Sequence, residues 1–466
     1  MRLRPVRFGA VLVPVLTLLL ACTSGGADDS TSSGPLATGT PAPTTSVRPG
    51  PVGKFADWPS YHGDALRTGY AATMPAAAGK LQVVENDDLD GAVYASPLVI
   101  GGRVVVATEN DSVYALDDGR VVWRAHLGTP APQTQLPCGN IFPLGITGTP
   151  VFHDGTIYVV AEFAGSPPRH ELFALRSSDG QVAWHRGVDL PGADPAAMQE
   201  RGALTVAGGR VWVPFGGLFG DCGDYKGRVI GLPLDGSGAP LAYTVPTARE
   251  GGIWAPPGPV WDGSHLYVEV GNGASSSGDP YDKSDSVLAI TTGAELAQFF
   301  APTTWPEDNA GDLDLGTQSP SIVGRWIVAV GKRGTAYVLD RTDLGGIGGE
   351  VSSTDLCTSF GGTAQLGEQV FVPCTDGVRA VRVDASGQLQ ELWHADSDVW
   401  GSPVVGGGRV WALNPDSGTL YALDPATGAV VDSADVGETS RFATPAIYGN
   451  HLFVPTLAGL TVVASS

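Results

Sequence analysis

Hydrophobic and polar positions repeat along the chain in a fixed order: a small residue and Pro, a short apolar run, a Gly turn, and a second apolar run. SPLVIGGRVVVAT, TPVFHDGTIYVVA, SPSIVGRWIVAVG, SPVVGGGRVWALN and TPAIYGNHLFVPT carry the pattern, with weaker copies from near Gly202, Pro257 and Gly362. Apolar runs this short, bounded by Gly and Asp, read as strands. Each unit continues into a third strand and an Asp/Gly turn to a fourth, as in SVYALDDGRVVW, ELFALRSSDGQVAW and TLYALDPATGAVV. One unit is therefore a four-stranded antiparallel meander, and the count is eight. The last unit runs out after three strands, while KLQVVEND near Lys80 is a strand without a unit. Pairing the two closes the array and removes its open edges, so the pattern predicts an all-β, eight-bladed β-propeller closed by its N-terminal strand. Seven blades or two smaller sheets are the competing arrangements.

Composition agrees with turns and short strands: 65 Gly and 36 Pro in 466 residues, with 42% hydrophobic and 16% charged positions. The formal charge of −21 repels phosphate backbones, which excludes nucleic-acid binding as a main role. Residues 1–21 carry Arg2, Arg4 and Arg7 before an apolar run that ends, with Cys22, in TLLLAC, the plan of a secretory signal peptide too short for a membrane span. Leu19, Leu20 and Ala21 before Cys22 resemble a bacterial lipobox, which implies lipidation of Cys22 and an extracytoplasmic chain anchored to the outer leaflet of the cell membrane. Residues 22–53 continue as Ser, Thr, Gly, Pro and Ala with almost no large apolar side chain, and so read as a disordered tether. Its r.m.s. reach is roughly 30 Å. Residues 54–466 are left for the propeller.

In such a blade the A to B and C to D turns share one face, and the B to C and D to A connections share the other. The first set is short and generic. The second includes GTPAPQTQLPCGNIFPLGI, GGLFGDCGDYKG, GNGASSSGDPYDKSD and PTTWPEDNAGDLDLG, and long loops on a rigid scaffold are where binding sites are built. Cys138, Cys222, Cys357 and Cys374 all fall on this face, an even set in an oxidising compartment. Pairing Cys138 with Cys222 and Cys357 with Cys374 would tie neighbouring loops; free buried thiols are the alternative. Glu162, Trp254, Asn272, Asp314 and Lys332 lie on the same face near strand ends. Two carboxylates and an amide oxygen suit a hard cation such as Ca²⁺, Trp254 offers a flat stacking surface, and Lys332 offers a cation to polarise a carbonyl. Asp279, Asp282 and Asp285 in SSSGDPYDKSD lack EF-hand spacing and read as a solvated turn. His62, in WPSYHGDALRTG, reads as part of a segment that docks the N-terminal extension on the ring.

The strand, turn and Trp signature, ALDDGRVVW ending at Trp123 and ALRSSDGQVAW ending at Trp184, resembles the quinoprotein alcohol dehydrogenase-like propeller repeat, with Asp432 where a third Trp would stand. The resemblance implies a cofactor site in which Glu162, Asn272 and Asp314 hold calcium or a lanthanide, Trp254 floors pyrroloquinoline quinone, and Lys332 contacts its reactive carbonyl. Asp314 is then the general base; if Asp312 is the base instead, Asp314 becomes a further metal carboxylate. The implied activity is metal-dependent oxidation of an alcohol, polyol or sugar. The same propeller also serves non-catalytic lipoproteins such as the barrel-assembly scaffold, which implies instead a ligand-binding or scaffold role toward an envelope partner. No two cysteines are adjacent in this sequence, and none lies in a CxxCH haem-attachment arrangement.

Overall fold

The computed structural model describes residues 55–77, 80–396 and 398–465. The signal peptide, Cys22 and the linker expected over residues 22–53 lie outside them. Among the described residues eight sheets follow one another in chain order, each built on four antiparallel strands, with Tyr70–Ala71 and Gly346–Ile347 adding short parallel strands to two of them, and they form an eight-bladed propeller. Their first strands are Leu98–Ile100, Val151–His153, Thr205–Ala207, Val260–Trp261, Ser321–Val323, Ala364–Leu366, Val404–Gly406 and Ala446–Tyr448. Leu81–Asp88 pairs antiparallel with Gly459–Ser465 and completes the eighth blade, as the unpaired N-terminal run requires.

Burial explains the two kinds of strand pattern. Second strands such as Thr156–Phe163 are buried almost throughout because neighbouring blades cover both their faces. Outer strands such as Leu81–Asp88 alternate half-buried and exposed, because one face meets water. The repeat's Trp acts between blades. Trp123 donates from Nε1 to the Ser177 carbonyl of the next blade at 3.1 Å, and a Cβ on Gly180 (φ 70°) would lie 2.4 Å from its ring. Trp184 repeats this over Gly236 and the Leu234 carbonyl, and Trp393 over Gly428 and the Pro425 carbonyl. Gly is required there twice over, by the left-handed turn and by the ring packed on it. Asp432 instead accepts a 2.6 Å hydrogen bond from the Leu81 N–H, joining the seventh blade to the closing strand.

The WPSYHGDALRTG segment does dock on the ring, through contacts with most of its blades. Trp58 exchanges both backbone hydrogen bonds with Val99, and the Pro59, Ala65, Thr68 and Gly69 carbonyls accept from the N–H groups of Phe152, Trp261, Gln365 and Val405. Arg67 Nη2 donates to the Leu204 carbonyl and Thr205 Oγ1, and the Tyr61 hydroxyl bonds Thr444 Oγ1 at 3.1 Å. All these partners lie on or beside first strands, so the segment bridges the inner wall of the ring. Among the described residues no helix is long and apolar enough to cross a membrane.

Candidate functional site

Cys138 and Cys222 form one disulfide and Cys357 and Cys374 another, the pairing expected from their shared face. They close loops of 84 and 17 residues in sequence separation, and bridges of that kind typically restrict the unfolded chain by about 3–5 kcal/mol. Beside the first bridge, Ile141, Leu144 and Leu218 pack into a small core of their own, which gives the loops a rigid base.

Between these loops opens a cavity of about 750 Å³ that brings together Trp254, Asn272, Asp312, Asp314 and Lys332. Local backbone explains how. Gly251 donates to the Asn272 carbonyl and Gly271 donates to that of Gly252, lacing the Trp254 loop to the Asn272 loop. A Cβ on Gly216 would lie 2.6 Å from Trp254 Cβ, and one on Gly271 would lie 2.4 Å from Asp314 Oδ1. Glycine at these two positions is what admits the indole and the carboxylate.

Asp314 is buried and accepts from the Asn272 N–H at 2.6 Å. Lys332 Nζ lies 2.5 Å from both Asp314 Oδ2 and Asp312 Oδ1. Asp312, the left-handed C-cap of the helix Trp305–Gly311, also accepts from Asn272 Nδ2 at 2.9 Å. Burial lifts the Asp314 carboxyl above the usual carboxylate range, and Lys332 pulls it back only in part. Burial opposes the charge on Lys332, but Asp314 and Asp312 outweigh it and raise its pKa, so the amine stays an ammonium. Asn272 Oδ1 is buried with no hydrogen-bond partner.

Glu162 does not join this group. It stands directly across the ladder from His170, whose Nε2 lies 3.1 Å from Glu162 Oε2, and the His170 ring packs edge-on against Phe215 of the third blade. Its side chain therefore points between two blades, while the cavity's carboxylates in addition to Asp312 and Asp314 are Asp221 and Glu250. Asp221 accepts from the Tyr225 hydroxyl at 2.5 Å, and Glu250 lies 2.6 Å from Arg249. The reading of Glu162 as a metal ligand is thus corrected: ending a second strand did not determine which way the residue faces. The turn reading of Asp279, Asp282 and Asp285 also changes in part. Asp282 and Asp285 are buried; Asp282 caps the Ser284 N–H, and Asp285 holds the Leu315 N–H at 3.0 Å, bracing the backbone next to Asp314.

Sequence reasoning missed the other wall. Arg201 and Arg441 line it with Tyr94, Phe360 and Phe442. Arg441 lies 4.0 Å over the Phe360 ring and Arg201 5.7 Å over Phe442, whose centroid is 6.3 Å from that of Trp254. Tyr94, Arg201 and Phe442 also bound a small chamber with Tyr61, so the docked N-terminal segment borders the space beneath the cavity. Nothing in the repeat marks these residues, because they come from irregular loops of different blades.

Behind Arg201 lie further buried acids. Burial pushes Glu109 up to about 7 and Asp111, both of whose carboxylate oxygens are unpartnered, up to about 9. Both values exceed the roughly 4 of an unfolded carboxyl, so the stability tied to their protons is full below about pH 4 and is lost as pH rises through about 7 and then about 9. Thermal melts from pH 5 to 9 should show this decline, and Asp111→Asn should raise the melting temperature at pH 9 while leaving it nearly unchanged at pH 5. Equal effects at both pH values would refute the assignment.

The eight-bladed ring, with an acid-lined aromatic cavity at its loop-rich mouth, is a β-propeller of the PQQ-type repeat class. Residues 82–344, more than half of the chain, match the PQQ_2 family, described as outer membrane protein assembly factor BamB, and the chain belongs to that family. The polyvinylalcohol dehydrogenase of Sphingopyxis sp. (strain 113P3) is 27% identical over 227 residues, 41% of this chain and 31% of that protein. The outer membrane protein assembly factor BamB of Alkalilimnicola ehrlichii is 31% identical over 114 residues, 24% of this chain and 27% of that protein. The chain thus matches less than a third of the length of either curated relative. Among solved structures, the quinohemoprotein alcohol dehydrogenase of Comamonas testosteroni superposes with a TM-score of 0.67 at 16% identity, covering 88% of this chain and 80% of that one. A europium-containing methanol dehydrogenase gives 0.66 at 14%, covering 88% and 98%. BamB of Moraxella catarrhalis gives 0.56 at 16%, covering 83% and 100%. At these identities the likeness is one of fold.

Proposed function

We propose that this chain is a quinone-dependent dehydrogenase that oxidises an alcohol, polyol or sugar in the central cavity, outside the cytoplasm and tethered through a lipidated Cys22. The observation that carries the reading is the convergence of Asp314, Asp312, Asn272 and Lys332 beside Trp254 in a cavity of about 750 Å³. The residues suit the groups the activity needs. A flat, polyanionic quinone matches the Trp254 surface and the cations Arg201, Arg441 and Lys332. For calcium or a lanthanide, the unpartnered Asn272 Oδ1 and the carboxylates of Asp314 and Asp312 supply hard oxygen donors. When bound, the quinone would supply the two-electron acceptor and the metal a Lewis acid.

The protein's own part is proton handling and placement. Asp314, desolvated and with a raised pKa, accepts the hydroxyl proton of the substrate at a carboxylate oxygen. Lys332 and the Asn272 N–H hold that carboxylate in one orientation, and the Cys138–Cys222 bridge steadies the loops around the cavity. The second reading is a non-catalytic scaffold or ligand-binding lipoprotein of the envelope, favoured by the family match and by the higher identity to a BamB.

One experiment separates them. Purified protein is mixed with pyrroloquinoline quinone and Ca²⁺ or a lanthanide, passed through gel filtration, and assayed for dye reduction with alcohols, polyols and sugars. Retained quinone absorbance with substrate-dependent reduction is expected. Failure to retain quinone under either metal leaves the scaffold reading.

A further inference from the structure

The interface between the N-terminal segment and the ring contains a feature independent of the central site. A cavity of about 10 Å³, the room of roughly one small monatomic ligand, is lined by His62, Arg67, Ser321, Thr363 and Gln365. Three nitrogens of that lining, His62 Nε2, Arg67 Nε and Gln365 Nε2, are buried with no hydrogen-bond partner. Arg67 is 4% exposed and His62 1% exposed, so neither can turn to solvent.

The charge balance is equally incomplete. The Arg67 terminal nitrogens donate to the carbonyls of Tyr61 and Leu204 and to Thr205 Oγ1, all neutral groups. Asp64, whose charge acts on it, is engaged by the Thr68 N–H and hydroxyl. A buried guanidinium with a spare N–H and no ion pair among the described residues is costly unless an anion sits beside it. Ser321 and Thr363 share one hydroxyl proton between them, which leaves the other free to point into the cavity. The lining therefore offers N–H and O–H donors, with the His62 ring as the one group able to gain a proton.

We propose that this cavity is a binding site for a single monatomic anion, chloride, held by Arg67, Gln365 and His62, and that the anion fastens the N-terminal segment to the ring. Water would satisfy some of the donors but bring no negative charge into contact with the guanidinium, on which Asp64 acts only from beyond ion-pair distance. His62 Nδ1 faces the Arg67 carbonyl at 3.3 Å and so carries a proton; Nε2 must gain one to face an anion. Burial, helped by the Arg67 charge, holds the empty-site imidazole low, near 3, although the Arg67 and Thr363 backbone carbonyls that the ring faces act the other way. An anion in the cavity offsets that charge, so its binding draws in a proton and strengthens as pH falls. Tyr61 and Arg67 are the titratable neighbours of His62, while the ring presents the uncharged Ser319, Ser321, Thr363 and Gln365.

The test uses the full chain in two arms. Crystals soaked in bromide should show one anomalous peak between Arg67, Gln365 and His62. In solution at constant ionic strength, each tenfold rise in chloride above its dissociation constant should multiply the folded-to-unfolded ratio about tenfold, whereas gluconate, too large for the cavity, should not. The chloride effect should be larger at pH 5 than at pH 8 and absent in Gln365→Leu. A cavity holding only water, or equal melting in chloride and gluconate, overturns the proposal, and the bromide experiment decides it if Gln365→Leu does not fold.

Discussion

Asparagine at position 314 is expected to lower quinone-dependent turnover by about 10²–10⁴-fold, the usual contribution of a positioned general base, while quinone retention on gel filtration persists. Asp314→Asn keeps the volume and can still accept the Asn272 N–H, so the change falls on proton acceptance rather than on packing. Asp312→Asn supplies the comparison, because Asp312 shares Lys332 and Asn272 with Asp314 but its side chain is 75% exposed. A group that open to water is not desolvated and should cost far less turnover. Should the two variants behave the other way round, the base is Asp312, and Asp314 is left with the role of holding Lys332 and a metal.

The second large effect is on stability and lies away from the cavity. Replacing His170 by leucine is expected to cost about 3–5 kcal/mol in denaturant unfolding, because it leaves carboxylates in the blade interface without their cation. Burial by itself would lower the His170 pKa, but Glu162 and Asp189, at 3.1 and 2.8 Å from its two ring nitrogens, raise it to about 10. The raised value means that the stabilisation is full below the unfolded histidine value of about 6.5 and is lost as pH rises through about 10. Glu162→Gln in the same chain should restore much of the loss, since the uncompensated charge is then gone. A loss under about 1 kcal/mol for His170→Leu would show that the pair is screened and not a buried ion pair. Quinone retention should be unchanged, because neither residue lines the cavity.

Legibility differed between fold and site for a physical reason. The eight units could be counted because each is a local meander whose turns need Gly or Asp where φ is positive, as at Gly101 (59°) and Gly102 (85°). Ring closure could be inferred because a three-stranded last unit and a spare N-terminal strand are complementary, and Leu81–Asp88 does pair with Gly459–Ser465. Both disulfides followed from the face on which their loops emerge. Trp254, Asn272, Asp312, Asp314 and Lys332 were legible for the same reason: each sits at a blade position whose connections gather at one mouth. Glu162 obeyed the positional rule and still missed, because the end of a strand can face the axis or the neighbouring blade, and its cross-strand partner His170 lies on the latter side.

Short-range periodicity and chain order were enough to point to eight blades, the closing strand and the loop-rich face, and they placed all four cysteines on that face while leaving their pairing to be chosen against free thiols. Folding in three dimensions alone settles which acids share the cavity with Trp254, that Arg201 and Arg441 line it too, and that the N-terminal segment brings His62 and Arg67 against Gln365. Those are encounters between side chains far apart in the chain, set by how each blade turns against the next, and no local pattern encodes that rotation.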